Sequence, residues 1–73
     1  MEKLQSVLAG NLRRLRIKSR LTQSDVAKEL NVTIQAVSKW EKGKSVPDVF
    51  ALFCLSEILN CEIGDFFRSA ADI

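Results

Sequence analysis

The sequence predicts an all-α domain of five helices, and three observations support this. Apolar residues recur at three- and four-residue spacing along most of the chain, which is the period of an α-helix. Residue types that begin and end helices, namely Thr, Asp, Asn and Gly, separate these apolar segments. No stretch alternates between apolar and polar residues in the way that a half-buried β-strand does.

The first helix is expected from Lys3 to Lys18. Leu4, Leu8, Leu12 and Leu15 follow one another at three- or four-residue spacing, so a helix places them on one face. Such an apolar stripe is the side that an amphipathic helix packs against a core.

The second and third helices are short and close together. Thr22 is a typical N-cap residue, and Asp25 follows three residues later as in a capping box. Asn31 readily adopts left-handed backbone angles and is expected to end the second helix. Thr33 then caps a third helix, which Gly43 ends. The inward residues of the two helices are expected to be Val26, Ala27, Leu30, Val37 and Trp40.

Two further helices complete the chain. Pro47 and Asp48 open a fourth helix, because proline favours the start of a helix and aspartate caps it. Its apolar stripe consists of Leu52, Leu55, Ile58 and Leu59. A short closing helix is expected over residues 63–68, where Ile63, Phe66 and Phe67 are apolar.

Composition excludes several classes of protein. Seventy-three residues form one small domain, 1–73, and 47% of them are apolar, as in a packed globular fold. There is no His, and Cys54 and Cys61 lack the spacing of a zinc site, so reduced thiols and no metal are expected. Without a catalytic dyad or a phosphate-binding glycine loop, we expect no enzyme and no cofactor. The chain has no apolar run of ~18 residues and no secretory signal, which predicts a cytoplasmic protein without membrane contact.

Charge is distributed unevenly along the chain. Residues 11–45 carry nine basic and three acidic side chains, a net charge of +6, whereas residues 46–73 carry a net charge of −4. This split produces a directional field that suits a polyanionic partner. The alternative is a charged surface that only keeps the protein soluble.

The second and third helices, joined by a tight turn at Asn31-Val32, have the arrangement of a helix-turn-helix. Such a pair can place the first residues of its second member in the major groove of DNA. The run LTQSDVAKELNVT, residues 21–33, resembles the helix-turn-helix signature of the lambda-repressor-like family of Cro/repressor or xenobiotic-response-element type. The segments AVSKWEKGK at 36–44 and IGDFF at 63–67 are similar to the same family.

The resemblance covers residues 10–67, which form the family core, and leaves residues 1–9 as an N-terminal extension of the first helix. The resemblance implies a five-helix domain that binds double-stranded DNA. It also implies a protein that acts in the bacterial nucleoid or is encoded by a phage. Arg20 and Asn31 depart from the family pattern, since glycine is common at both positions.

Residue chemistry and the resemblance together predict a DNA-binding surface. Contacts to base edges are expected from Ile34, Gln35, Ser38 and Lys39, on the outward face of the third helix. An amide pairs with adenine, an ammonium group reaches guanine, and an apolar side chain packs on a thymine methyl group. Phosphate contacts are expected from Gln23, Thr33, Arg13, Arg16, Lys42, Lys44 and Ser45. The resemblance also pairs Arg16 with Glu41, as an ion pair that orients the third helix.

The fourth helix carries Phe50, Ala51 and Cys54 at positions that are usually polar in the family. These residues form either an apolar face for a second copy or another partner, or a surface that packs under the N-terminal extension. The sequence leaves both interpretations open.

The predicted function is sequence-specific transcriptional regulation, most often repression in this family. One module buries only ~600–1,000 Å² on DNA, which favours a homodimer on an inverted repeat. Two alternatives remain: an antitoxin that regulates its own operon, and a protein-interaction module that uses the face formed by Phe50, Ala51 and Cys54.

Overall fold

The computed structural model describes residues 3–69, and every element of regular secondary structure in this range is a helix. The elements are α1 (Leu4–Lys18), α2 (Gln23–Leu30), α3 (Ile34–Glu41), α4 (Val49–Ile58) and a 3₁₀ helix (Ile63–Phe67). The all-α class is confirmed, and no strand occurs between residues 3 and 69. The closing helix differs from the prediction in being a 3₁₀ helix and in ending at Phe67. Residues 1, 2 and 70–73 of the predicted domain 1–73 lie outside the described residues. Residues 1 and 2 also belong to the predicted extension 1–9.

Side chains cap the start of three helices as the sequence predicts. Thr22 and Asp25 form a reciprocal capping box, in which Asp25 N–H donates to Thr22 Oγ1 at 3.0 Å and Thr22 N–H donates to Asp25 Oδ2 at 2.8 Å. Thr33 and Asp48 each accept a hydrogen bond from the backbone N–H three residues later. Each bond satisfies a donor that the helix itself leaves unpaired.

All four α-helices end with the same backbone motif. One or two positions beyond the last helical residue, a residue has a positive φ, at 61° for Arg20, 57° for Asn31, 72° for Gly43 and 53° for Asn60. In every case its N–H donates to the carbonyl three residues earlier, and the next N–H donates to the carbonyl five residues earlier, at 2.9 to 3.3 Å. This pair of bonds defines the Schellman motif. Gly43 alone adopts the left-handed angles without opposition from a Cβ.

The core lies where α1, α2, α3, α4 and the 3₁₀ helix meet. Its buried members are Leu8, Leu12, Leu15, Val26, Ala27, Val37, Trp40, Leu55, Leu59 and Phe66. Leu30, Leu52 and Ile58 are partly buried against this cluster. Leu4 was predicted on the buried stripe of α1, and this is wrong: its side chain is 61% exposed. It lies in the first turn of α1, at the edge of a surface groove that Val46, Pro47 and Phe67 also border.

Buried Asn11 joins α1 to the end of the chain. Its Nδ2 donates to Phe66 O at 2.9 Å and to Arg68 O at 2.7 Å. Its Oδ1 accepts from Arg14 Nη2 at 3.0 Å. The side-chain amide therefore has partners on both sides, as a buried polar group requires, and it holds the 3₁₀ helix on α1.

Candidate nucleic-acid interface

Helix α3 packs on the core with one face and leaves the other open. Val37 and Trp40 are buried, whereas Gln35 and Lys39 are exposed on the opposite side. Ile34, in the first turn, is 48% exposed. The open face of α3 therefore combines an apolar, an amide and a charged side chain.

The open face of α3 borders a groove with residues from two other segments. The groove is lined by Gln23, Ile34, Gln35, Ser38, Lys39, Lys42 and Lys44. We call this set the α3 groove. The structure thus brings all four predicted base-contacting residues together with three of the predicted phosphate-contacting ones. Three lysines and no carboxylate line it, so the α3 groove is positively charged.

The remaining predicted phosphate contacts lie in different surroundings. Thr33 is exposed, and its hydroxyl oxygen accepts the capping bond at the start of α3. Ser45 is half-buried beyond the groove. Arg13 is exposed on α1, where it borders Gly10 and Ile17 rather than the α3 groove.

Arg16 and Glu41 form a bidentate ion pair beneath the α3 groove. Arg16 Nε lies 2.6 Å from Glu41 Oε2, and Arg16 Nη2 lies 3.0 Å from Glu41 Oε1. The two side chains are only 12% and 3% exposed. Arg16 Nη1 also donates to Leu21 O at 2.8 Å. Little of the guanidinium is left to reach a phosphate, so the geometry favours the orienting role of Arg16 over a direct DNA contact.

Gln23 belongs to both the ion pair and the α3 groove. Its Nε2 donates to Glu41 Oε1 at 3.1 Å, so Glu41, at the end of α3, accepts hydrogen bonds from both α1 and α2. A primary amide has two N–H groups. One is used by Glu41, and the second is the group with which Gln23 can contact a phosphate.

Two contacting residues of α1 were not predicted from the sequence. Asn11 adjoins the apolar stripe of α1, and a polar residue beside such a stripe was the available signal. Gln5 Nε2 donates to Gly43 O in the loop that follows α3. Nothing in the local sequence indicates this second contact, because the two residues are 38 positions apart.

Helix α4 is apolar on both sides. Leu55 is buried, while Val49, Phe53 and Cys54 are exposed and Phe50 is 82% exposed. Ala51, the third residue of the predicted face, is half-buried and packs against the core. The outer face, which we call the α4 face, therefore consists of Val49, Phe50, Phe53 and Cys54. The exposure of Phe50 also shows that residues 3–9 do not cover it.

Two titratable groups are displaced from their ordinary pKa. Hydrogen bonds from the backbone and then the side chain of Thr22 lower the pKa of Asp25. Burial, and to a lesser degree the carboxylate of Asp65, raises the pKa of Cys61. Both cysteines are free thiols.

Within residues 3–69 no three His, Cys, Asp or Glu side chains cluster as metal ligands do. None of the helices in this part of the chain is both long and apolar enough to cross a membrane.

The sequence of this chain is similar to those of known helix-turn-helix proteins. The family model HTH_3, described as helix-turn-helix, matches residues 12–66. The HTH-type transcriptional activator BcrR of Enterococcus faecalis is 39% identical over 54 residues, which cover 74% of this chain and 26% of that protein. The HTH-type transcriptional regulator DicA of Escherichia coli (strain K12) is 36% identical over 61 residues, covering 84% of this chain and 45% of that protein. The chain thus spans less than half the length of these curated relatives.

Solved structures share the fold at lower sequence identity. The hypothetical transcription factor NHTF from Neisseria superposes with a TM-score of 0.86 at 18% identity, covering 96% of this chain and 80% of that chain. The restriction-modification controller protein C.AhdI from Aeromonas hydrophila gives a TM-score of 0.79 at 22% identity, covering 86% of this chain and 96% of that chain.

Proposed function

Because the chain belongs to the HTH_3 helix-turn-helix family, we propose that it is a sequence-specific regulator of transcription that binds double-stranded DNA with α3 in the major groove. The observation that carries this proposal is the α3 groove. It joins an exposed apolar side chain, an amide and a lysine on one face of α3 with two lysines of the following loop. The ion pair between Arg16 and Glu41 holds α3 on α1.

Base contacts come from the first two turns of α3. Gln35 offers a donor and an acceptor that match the N7 and N6 edge of adenine, and Lys39 donates to guanine O6 or N7. Ile34 provides an apolar surface for a thymine methyl group. Ser38 is half-buried between these positions and can donate or accept.

Phosphate contacts come from the rim of the α3 groove. Lys42 and Lys44 are exposed on the loop after α3, and Gln23 offers its second N–H at the start of α2. Thr33, Ser45 and Arg13 stay predictions for the same role. These contacts fix the position of the protein on the duplex without selecting a sequence.

We also propose that two copies bind an inverted repeat through the α4 face. Large apolar side chains that remain exposed on an otherwise packed helix indicate an interface. A second copy suits this face because a single module makes only a small interface with DNA. Dimers of helix-turn-helix proteins bind two half-sites about one helical turn apart, which doubles that interface. Repression stays a prediction from the resemblance, since one relative is named an activator. The antitoxin alternative shares the same DNA-binding step.

A protein-interaction module is the second candidate, and the α4 face is the observation that favours it. In that case the α3 groove would only keep the protein soluble. Replacing Phe50 with Glu would then abolish function in cells, whereas replacing Gln35 and Lys39 with Ala would leave it intact.

Selection of bound duplexes from a randomised pool, at near-physiological salt, tests the proposal. We expect the wild-type chain to enrich an inverted repeat and the variant Gln35→Ala/Lys39→Ala to lose the preference with unchanged helical circular dichroism. Lys28→Ala, at an exposed lysine of α2 outside the α3 groove, is the matched control and should retain it. A folded wild-type chain that enriches nothing would contradict DNA binding. Enrichment of a single half-site would contradict only the dimer.

A further inference from the structure

The first turns of α1 contact the loop that carries the proposed phosphate-binding lysines. Gln5 Nε2 donates to the carbonyl oxygen of Gly43, which lies between Lys42 and Lys44. Gln5 precedes residues 12–66, the segment that the family model matches. The contact therefore joins a residue outside the matched segment to the edge of the α3 groove.

A second contact lies one helical turn further along α1. A Cβ built on Gly43 would lie 3.8 Å from the Cβ of Ala9, so the backbone of the loop lies about one methyl group away from this helix. Ala9 is itself buried. Gln5 and Ala9 are four residues apart and share one face of α1, so the loop rests on a continuous surface.

The peptide group between Gly43 and Lys44 is held on both sides. Its carbonyl oxygen accepts the bond from Gln5, and its N–H donates to Lys39 O at 2.9 Å. A peptide group is planar, so fixing both its polar atoms fixes its orientation. That orientation sets the direction in which the chain, and with it the side chain of Lys44, leaves the loop.

We propose that Gln5 is a positioning residue for DNA binding, which holds the loop of Lys42 and Lys44 where it meets the phosphate backbone. The inference rests on the proposed function and adds to it a role for residues outside the matched segment. Only the amide N–H of Gln5 is needed, because the acceptor is a backbone carbonyl.

The test compares wild type with Gln5→Met, which keeps the length of the side chain and removes the donor. Ser6→Ala is the matched control: Ser6 lies in the same turn but borders Asn11 and Arg68, away from the loop. Binding of the selected duplex is measured across a range of salt concentrations, and thermal unfolding is measured in parallel.

Loss of one phosphate contact should make the slope of log affinity against log salt shallower by about 0.9 and weaken binding about fivefold at near-physiological salt. The preferred duplex should stay unchanged, and the thermal unfolding curve should show that Gln5→Met is fully folded at the temperature of the binding assay. A merely structural role for Gln5 would leave the salt slope of the folded variant unchanged. Wild-type affinity and slope in Gln5→Met, with wild-type protein binding normally, would overturn this inference alone. A wild-type protein that binds no duplex would overturn the proposed function and this inference with it.

Discussion

Replacement of Arg16 by Met should destabilise the domain more than the loss of any exposed charge. The change leaves the Glu41 carboxylate, which is 3% exposed, without its cation. Removing one partner of a buried ion pair costs about 3–5 kcal/mol, because the remaining charge is neither solvated nor paired. An exposed pair contributes only ~0–1 kcal/mol.

The expected loss is large relative to the stability of so small a protein. At ~0.05–0.15 kcal/mol per residue, a chain of this length has a free energy of unfolding of roughly 4–11 kcal/mol. Arg16→Met therefore removes about a quarter or more of it, and the midpoint of thermal unfolding should fall by roughly 20 °C. The double variant Arg16→Met/Glu41→Leu removes the buried charge as well and should be more stable than Arg16→Met alone.

Urea unfolding measures these differences with two probes, far-ultraviolet circular dichroism for the helices and the fluorescence of Trp40, which is buried in the core. Arg13→Met, at an exposed arginine of the same helix, is the control and should change stability by less than ~0.5 kcal/mol. A loss below ~1 kcal/mol in Arg16→Met would refute the reasoning, since the pair would then behave as an exposed one. A double variant no more stable than the single one would refute it too.

Three further predictions concern single residues. Arg20→Gly should raise the free energy of unfolding by ~0.5–1 kcal/mol, because the left-handed backbone opposes an arginine more than the flexibility of glycine costs; an unchanged thermal midpoint would contradict this. The lowered pKa of Asp25 means that its hydrogen bonds with Thr22 stabilise the fold fully above its ordinary pKa of 3.8 and lose this effect as the pH falls through the lowered value. The difference in thermal midpoint between wild type and Asp25→Asn should therefore shrink as the pH falls below 3.8, and a difference that is the same at neutral and acidic pH would contradict this. Because burial raises the pKa of Cys61, iodoacetamide at neutral pH should alkylate exposed Cys54 first, and mass spectrometry showing the reverse order would contradict this.

Local chemistry made the helix boundaries predictable from the sequence. Thr22 and Thr33 cap helices through bonds that reach only three residues along the chain. Asn31 and Gly43 end helices through their own backbone angles. The bounds of the two helices follow from these local features, whereas the outward position of Gln35 and Lys39 follows from their spacing relative to buried Val37 and Trp40.

Contacts between distant residues set the limit of prediction. Asn11 and Gln5 bind backbone carbonyls 55 and 38 positions away, and no spacing rule indicates such partners. Helix α4 presents a different difficulty, because eight of its ten residues are apolar and their pattern does not distinguish the buried side from the exposed one. For this reason the sequence did not indicate that Ala51 packs partly against the core or that Phe53 is exposed.

The repeated closure of the helix ends has a consequence for the order in which the chain folds. Each closure joins groups no more than five residues apart, so it costs little chain entropy and forms on the time scale of helix formation. The bonds of Asn11 to Phe66 and Arg68 join groups 55 and 57 residues apart and need nearly the whole chain to have collapsed. The four Schellman motifs should therefore form first. The bonds that hold the 3₁₀ helix on α1 should form last, and they should open first when the native state fluctuates.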